Sequence, residues 1–271
     1  MYGLQIAFKD LNIIQGIWRS PWVGQKHFRD FFGNPAAMKV VRNTIEISLL
    51  RIAFGFPAPI ILALLLNEVK DGFFKRFTQT VSYLPHFISW IIISAIFHAM
   101  LSPSGGVVNT IIKAFGGRPI YFMASPQWFR PVLIFSAIWK EVGWGAVIYL
   151  AALSGVDLTL YEAAIVDGAT RLQRMRYISL PSITPVVTIV LILSMGGILN
   201  AGFDQIFNMY NVRVYDVADI IDTYVYRAGL VSMQYSFSAA VGLFKSIDHV
   251  MNHLNVIALA SRVSEERQGL W

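Results

Sequence analysis

A long uncharged stretch in the second half of this chain constrains its fold more than any other feature. No Asp, Glu, Lys or Arg occurs between Arg176 and Asp204, and most residues in that interval are apolar. A helix of about 20 apolar residues crosses a hydrocarbon core of about 30 Å. Across the whole chain, 55% of residues are hydrophobic and 14% are charged, whereas a soluble domain carries about 25% charged residues. Because these charges are too few to cover a surface that faces water, we expect the chain to lie in a membrane.

Five segments are apolar and long enough to span a bilayer, to differing degrees. The second is uncharged, the third contains the adjacent Lys140 and Glu141, and the fifth carries a polar run from Lys245 to Asn255. Together they predict an all-α, polytopic transmembrane helical bundle. In chain order, the segments are Ile45–Leu66, Val81–Leu101, Val132–Ala152, Ser182–Asn200 and Phe237–Ala260.

Several kinds of chemistry have no counterpart in the sequence. Cysteine is absent, which excludes disulfides, thiolate metal sites and a cysteine nucleophile. The net charge of +6 resides in short basic clusters between apolar segments, as in membrane proteins, so we do not expect nucleic-acid binding. No G-x-x-x-x-G-K-[ST] loop, Ser-His-Asp set or paired carboxylates are recognisable. His249 and His253 share a helix face, but no H-E-x-x-H motif completes the pair. We therefore predict no catalytic residue, no metal site and no cofactor in this chain.

A polar connector, residues 155–185, joins the third and fourth spans. Between Glu162 and Arg176, apolar residues recur at roughly helical spacing, and Gly168 is the only glycine or proline. This pattern predicts a short amphipathic helix. Glycine at position 168 favours a turn between two short helices, or the close approach of another backbone. Pro181 then lies where a new helix can start. Small residues on such a rigid bracket indicate a docking surface outside the membrane.

Seven residues of this connector resemble the EAA motif of permeases from ATP-binding cassette (ABC) importers. That motif is Glu-Ala-Ala, three residues, Gly, nine residues and Ile-x-Leu-Pro, and the connector meets every spacing with Glu162-Ala163-Ala164, Gly168 and Ile178-x-Leu180-Pro181. The alternative is an ordinary amphipathic connector that contains alanines. The resemblance implies a type I importer-permease fold and a non-catalytic subunit whose coupling helix docks on a nucleotide-binding subunit. The coupling residues that it implies are Glu162, Ala163, Ala164, Asp167, Gly168 and Arg171.

The same resemblance orients the chain, because positive charges are divided too evenly between the two sides to do so. It places the coupling loop 153–181 in the cytoplasm and residues 1–39 outside. Five spans with a cytoplasmic C-terminus leave the N-terminus outside with nothing to carry it there, so we expect that a first span is missing from this numbering. The expected domains are an extracytoplasmic or interfacial segment at 1–39 and a transmembrane permease domain at 40–271.

Further runs resemble the carbohydrate-uptake branch of these importers, and within it the permeases for oligosaccharides and polysaccharide fragments such as alginate and rhamnogalacturonan. The resemblance implies a second homologous permease, two ATP-binding subunits that hold ATP and Mg²⁺, an extracytoplasmic solute-binding protein and the bacterial inner membrane. The family is apolar where this chain has the polar run Lys245–Asn255. The runs that carry the resemblance are YGLQIAFKDLN near the N-terminus, Gly202–Phe207, Phe207–Tyr210 and Gly269–Trp271.

Ionisable residues inside a span are costly and usually face a cavity or a partner. Aromatic side chains offer a sugar flat apolar faces with polar edges. For Glu141, a salt bridge with Lys140 is an equally weighted alternative to a role in transport. For the residues at the outer end of the fourth span, the alternative to a substrate entrance is a helix stop with an interfacial cap. The predicted substrate-passage residues are Trp139, Glu141, Trp144 and Tyr149 in the third span, and Asn200, Phe203, Asp204 and Gln205 near the end of the fourth.

Other polar residues receive simpler interpretations. We expect His86 to form a polar contact between helices, and Asp216, Asp219 and Asp222 to lie on solvated surface or to contact a partner. The rival function is a secondary transporter driven by an ion gradient, which would use discontinuous helices and inverted repeats. Neither is visible in the sequence. We therefore predict the permease subunit of an ATP-driven importer that moves a carbohydrate from a solute-binding protein into the cytoplasm.

Overall fold

The computed structural model describes residues 2–248 and 250 of the chain. In this part of the chain, the regular structure is helical, and the β pairing consists of a single bridge between Lys9 and Trp22. The described residues divide into two compact units. One unit contains those of 1–49, 94–132 and 196–271, and the other contains 50–93 and 133–195. The predicted all-α membrane fold is confirmed.

The helices follow the apolar segments and the connectors between them. Helices of the 3₁₀ type cover Tyr2–Phe8, Leu84–Phe87 and Val212–Val214, and π-helices cover Arg51–Gly55, Met175–Ser179 and Arg227–Val231. The α-helices are α1 (Gly16–Arg19), α2 (Lys26–Phe32), α3 (Pro35–Leu50), α4 (Pro57–Glu68), α5 (Phe73–Tyr83), α6 (Trp90–Leu101), α7 (Val107–Ala114), α8 (Pro126–Ser154), α9 (Leu158–Val166), α10 (Arg171–Arg174), α11 (Leu180–Met195), α12 (Phe203–Met209), α13 (Tyr215–Ala218), α14 (Ile221–Tyr226) and α15 (235–248).

The core of the first unit forms where α2 and α3 meet α14 and α15. Phe31 of α2 is buried there together with Val40 of α3, Ile221 of α14 and Val241 of α15. Aromatic rings of α14 and α15 surround Phe31 at centroid distances of 6.1–6.5 Å. Of the aromatic residues near the N-terminus, Phe31 is therefore part of a packed core in this unit, whereas Trp18, Trp22 and Phe32 are exposed.

The core of the second unit forms where α4, α8 and α11 pack together. Ile60 of α4, Ala146 of α8 and Ile183 of α11 are buried in one cluster. Nearby, α8 approaches α5 at backbone distance, because a Cβ on Gly143 would lie 2.0 Å from the carbonyl oxygen of Ser82. Only glycine fits at position 143 without a shift of one of the two helices.

Three helical segments of the described chain are long and apolar enough to cross a membrane: Pro35–Glu68, Pro126–Ser154 and Arg171–Met195. They contain the first and third predicted spans and most of the fourth. The fourth ends at Met195 rather than at Asn200, because Gly196 and Gly197 follow in a turn. Of the fifth predicted span, residues 237–248 are helical. Residues 251–260, the pair His249 and His253, and the run Gly269–Trp271 lie outside the described residues.

The second predicted span, Val81–Leu101, is wrong as one continuous helix. The segments Phe73–Phe87 and Trp90–Leu101 are bent by 107° at the break between them. Pro85 lies within the 3₁₀ turn Leu84–Phe87, and the backbone of Ile88 is extended with ψ 135°. Proline has no N–H to continue the helical ladder, so the break begins where the sequence removes a donor.

Candidate functional site

The connector between α8 and α11 is built from two short helices. The side chain of Asp157 accepts the amide N–H of Thr159 at 2.9 Å and begins α9. This hydrogen bond lowers the pKa of the Asp157 carboxyl. The chain then turns at Gly168, where φ is +77°, and Thr170 begins α10 in a capping box with Gln173. The structure therefore has the turn that the sequence predicts at Gly168.

Two contacts hold this connector against the rest of its unit. Nη2 of Arg174 donates to Oε2 of Glu68 at 2.9 Å, and only 16% and 11% of these side chains are exposed. The hydroxyls of Tyr161 and Ser179 lie 2.9 Å apart and join α9 to the π-helical start of the next span. A movement of the connector would therefore act directly on α4 and α11.

The predicted coupling residues lie on the outside of this bracket. Within the unit, the connector also exposes large apolar side chains, and Val166, for example, is 87% exposed. Leu158, Ile165 and Leu172 are exposed as well. The coupling residues Glu162, Ala163, Asp167, Gly168 and Arg171 are exposed, and Ala164 is half-buried.

In the same unit, Lys140 of α8 faces the broken span. Its Nζ donates to the carbonyl oxygens of Pro85, at 3.3 Å, and Ile88, at 2.8 Å, and to that of His86 between them. The ammonium group lies 4.0 Å from the nearer carboxylate oxygen of Glu141. The alternative of a salt bridge between these two residues therefore describes only a minor contact of Lys140, whose main partners are backbone carbonyls.

Glu141 and Trp144 contact the broken span through its side chains. Oε2 of Glu141 lies 2.8 Å from Nδ1 of His86. The His86 ring is stacked on Trp144 at 4.7 Å with an interplanar angle of 7°, and the edge of the Phe87 ring meets Trp144 at 5.6 Å. The predicted polar contact of His86 between helices is present. The side chains of Glu141, Trp144 and Phe87 remain substantially exposed within their unit.

The other two predicted passage residues of α8 lie in different environments. Trp139 is partly exposed, at 36%, whereas Tyr149 is 2% exposed and belongs to the buried cluster of α4, α8 and α11. The structure thus brings Glu141 and Trp144 together at the broken span and places Tyr149 in the core of the unit.

The predicted entrance residues belong to the first unit, around α12. Asn200 and Asp204 are exposed, and Gln205 is buried. The ring of Phe203 stacks on Phe207 at 5.1 Å. Polar, exposed side chains therefore alternate here with aromatic and buried ones, as at a helix start that packs on its own unit.

The segment of the same unit that contains α13 and α14 forms ion pairs that sequence reasoning missed. Arg227 forms an ion pair with Asp219, which is buried, and lies over the ring of Tyr215 at 4.5 Å. Burial acts to lower the pKa of Arg227, but its hydrogen bonds to Asp219 and Tyr210 outweigh burial and raise it. The expectation of solvated surface is therefore wrong for Asp219, whose carboxylate forms a structural ion pair with Arg227.

The first residue of the polar run in the last predicted span, Lys245, has a partner in this segment too. Nζ of Lys245 donates to both carboxylate oxygens of Asp222, at 2.6 and 2.7 Å. Asp222 is therefore also a structural residue, whereas Asp216 is exposed and pairs with Lys39. Part of the polarity of Lys245–Asn255 thus has a physical reason, which is an ion pair between α14 and α15.

Comparison with known proteins identifies the kind of molecule that carries these features. A family model described as "Binding-protein-dependent transport system inner membrane component" matches residues 55–203. The chain is 46% identical to Protein LplB of Bacillus subtilis (strain 168), over 98% of this chain and 84% of that protein. It is 45% identical to the polygalacturonan/rhamnogalacturonan transport system permease protein YteP of the same organism, over 98% of this chain and 83% of that protein.

Solved structures agree with these relatives. A crystal structure of a bacterial alginate ABC transporter, in complex with an alginate pentasaccharide-bound periplasmic protein, contains a chain that is 39% identical and matches with a TM-score of 0.87. The match covers 96% of this chain and 87% of that chain. The prediction of an importer permease is thereby confirmed, and the comparisons do not support the ion-gradient carrier. The chain belongs to the family of binding-protein-dependent transport system inner membrane components.

Proposed function

We propose that this permease moves an acidic oligosaccharide or polysaccharide fragment across the bacterial inner membrane. The observation that carries the proposal is that two proteins named for such cargo match nearly the whole chain. One is the permease named for polygalacturonan and rhamnogalacturonan. The other belongs to a transporter involved in the import of the acidic polysaccharide alginate, with a TM-score of 0.88 and 40% identity. Cargo arrives on an extracytoplasmic solute-binding protein and leaves into the cytoplasm.

The energy comes from partner subunits. Two ATP-binding subunits hold ATP and Mg²⁺, and this chain and a second, homologous permease form the passage between them and the solute-binding protein. Glu162, Gly168 and their neighbours on the connector form the surface that docks on an ATP-binding subunit. The exposed apolar side chains of that connector support this role, because the free energy of the complex falls when a partner covers a large apolar residue such as Val166.

Within the second unit, Trp139, Glu141 and Trp144 line the passage. Aromatic rings bind the apolar faces of a sugar ring, and a carboxylate accepts hydrogen bonds from its hydroxyl groups. The exposed faces of Trp144 and Phe87, next to Glu141, offer both kinds of contact. Tyr149 takes part by packing α8 against α4 and α11. Around α12, Asn200, Phe203, Asp204 and Gln205 form the entrance.

Reconstitution of the complete transporter tests the cargo and the energy source together. We expect proteoliposomes that contain both permeases and the ATP-binding subunits to take up labelled alginate or rhamnogalacturonan oligosaccharides only with ATP and the loaded solute-binding protein. Neutral oligosaccharides of equal length are the control for cargo class. Uptake that needs no ATP and stops when an ionophore collapses the ion gradient would contradict the proposal.

Substitution of Glu141 tests the passage. We expect Glu141→Ala and Trp144→Ala to lower uptake while the purified complex keeps its subunit composition. Uptake by Glu141→Ala at the wild-type rate, in an intact complex, would remove Glu141 from the passage.

A further inference from the structure

A positively charged group is buried at the break in the second span. Lys140 is 7% exposed, and its Nζ lies 5.7 Å from the centroid of the Trp90 ring. An ammonium group has three hydrogen atoms to donate. The three carbonyl oxygens of Pro85, His86 and Ile88 are within reach of Nζ and match that number.

Two of these carbonyls need a donor because the helix stops before it can supply one. The last carbonyls of any helix have no partner within the helix. Here the chain passes from the 3₁₀ turn Leu84–Phe87 into the extended Ile88, whose N–H donates to the carbonyl of Pro85 at 3.2 Å, and Lys140 supplies the donor for the carbonyls of His86 and Ile88. In a bilayer, unsatisfied backbone groups cost several kcal/mol each. A cation at the C-terminal end of a helix is also favoured by the helix dipole. Lys140 thus stabilises the broken conformation over a continuous helix.

The segment that Lys140 holds, residues 85–88, carries aromatic rings next to the proposed passage residue Trp144. The imidazole of His86 stacks on Trp144, and the rings of Phe87 and Trp144 meet edge to face. Trp144 lies four residues after Lys140, so both are on the same face of α8. One face of α8 therefore contacts the break twice. Lys140 contacts the backbone of the break, and Trp144 contacts the side chains of His86 and Phe87.

We propose that Lys140 is a positioning residue, which fixes the backbone break so that Phe87 and Trp144 present their aromatic faces to the sugar. This inference rests on the proposed function. Lys140 does not contact the cargo, since its side chain is buried and its three hydrogen atoms face carbonyls. The rival role for a lysine in such a passage is a direct ion pair with the carboxylates of an acidic sugar.

The test measures uptake per assembled transporter for Lys140→Met, with acidic and with neutral oligosaccharides. For a positioning residue, we expect uptake of both cargo types to fall by the same factor, up to about 100-fold, which is the loss that a misplacement of about 1 Å can cause. The double variant Lys140→Met/Trp144→Ala should lose less than the two single losses combined, because both changes remove part of the same aromatic surface. Lys113→Met is the matched control, since Lys113 is exposed and its ammonium reaches one carbonyl at 3.4 Å.

Three outcomes would overturn the proposal. Loss of acidic uptake alone would indicate a direct ion pair with cargo. Additive losses in the double variant would separate Lys140 from Trp144. A reduced yield of complex, with wild-type uptake per complex, would make Lys140 purely structural.

If Lys140→Met does not assemble, Lys140→Gln, which retains an amide donor, is measured in the same way. A wild-type transporter that shows no ATP-dependent sugar uptake would instead refute the proposed function, and so the two failures are distinguishable.

Discussion

Removal of the ion pair between Arg174 and Glu68 should uncouple ATP hydrolysis from transport. Arg174 lies in α10 of the coupling connector, and Glu68 is the last residue of α4. Their ion pair connects the proposed docking surface to a membrane span. In Arg174→Met, the connector keeps its hydrophobic stem but loses this attachment, and the carboxylate of Glu68 is left without its cation.

The structure sets the size of this effect. Removal of one partner from a fully buried ion pair costs about 3–5 kcal/mol. Both side chains line a cavity of ≈ 400 Å³, which is large enough to admit water, and they are 11% and 16% exposed. Partial solvation of the remaining charge reduces the cost to about 2 kcal/mol. Since about 1.4 kcal/mol corresponds to a tenfold change, the attached state of the connector should lose about 30-fold in population relative to the released state.

The ratio of sugar taken up to ATP hydrolysed, measured in proteoliposomes, reports this loss. We expect Arg174→Met to retain ATP hydrolysis while uptake falls, and the exchanged pair Glu68→Arg/Arg174→Glu to restore part of the ratio. Arg176→Met is the control, because Arg176 is an exposed arginine of the same connector that lies over the ring of Tyr177. A wild-type ratio in Arg174→Met would refute the reasoning, as would a failure of the exchanged pair in a complex that assembles normally.

Three further substitutions test other parts of the structure. Gly168→Ala places a Cβ at a φ of +77°, which costs about 1–2 kcal/mol, and it should lower the ratio of uptake to ATP hydrolysed. Gly155→Ala is the control, because its Cβ would make an ordinary 3.5 Å contact, and it should leave that ratio unchanged. Gly143→Ala brings a Cβ to 2.0 Å from a backbone oxygen of α5 and should reduce the yield of complex in gel filtration, whereas Gly242→Ala, with no atom within 4 Å, should leave that yield unchanged. Asp219→Asn weakens the buried pair with its arginine partner and should lower the Tm of the purified complex; an unchanged Tm would show that the pair contributes no stability.

Local properties of the sequence were enough to predict most of the spans and the helical form of the connector between α8 and α11. A run of apolar residues requires a helix in a bilayer, whatever its neighbours are. The two-helix form of the connector was also predictable, because the φ of +77° at Gly168 is a local demand that glycine meets. These features depend on residues close together in the chain, which is why periodicity and spacing revealed them.

The broken span could not be predicted in the same way. Hydropathy is the same whether the apolar run Val81–Leu101 is continuous or interrupted, and proline occurs in membrane helices of both kinds. The break is stabilised by Lys140, which is distant in sequence and donates to backbone carbonyls between Pro85 and Ile88. The ion pairs of Asp219 and Asp222 escaped prediction for a related reason. From the sequence alone, a buried polar residue is indistinguishable from a surface residue, because its partner is distant in the chain.

The broken span also bears on the choice between an ATP-driven importer and an ion-driven carrier. Carriers of the latter class use discontinuous helices whose unwound carbonyls coordinate the driving cation. In the described part of this chain one span is discontinuous, contrary to what the sequence indicated, but the ammonium group of Lys140 already occupies the position that such a cation would take. A covalently attached charge cannot dissociate on the far side of the membrane, so this break cannot exchange an ion between the two sides through these carbonyls. The discontinuity is therefore compatible with the importer family, and in the proposed function the driving force enters at the connector that contains Gly168 and Arg174.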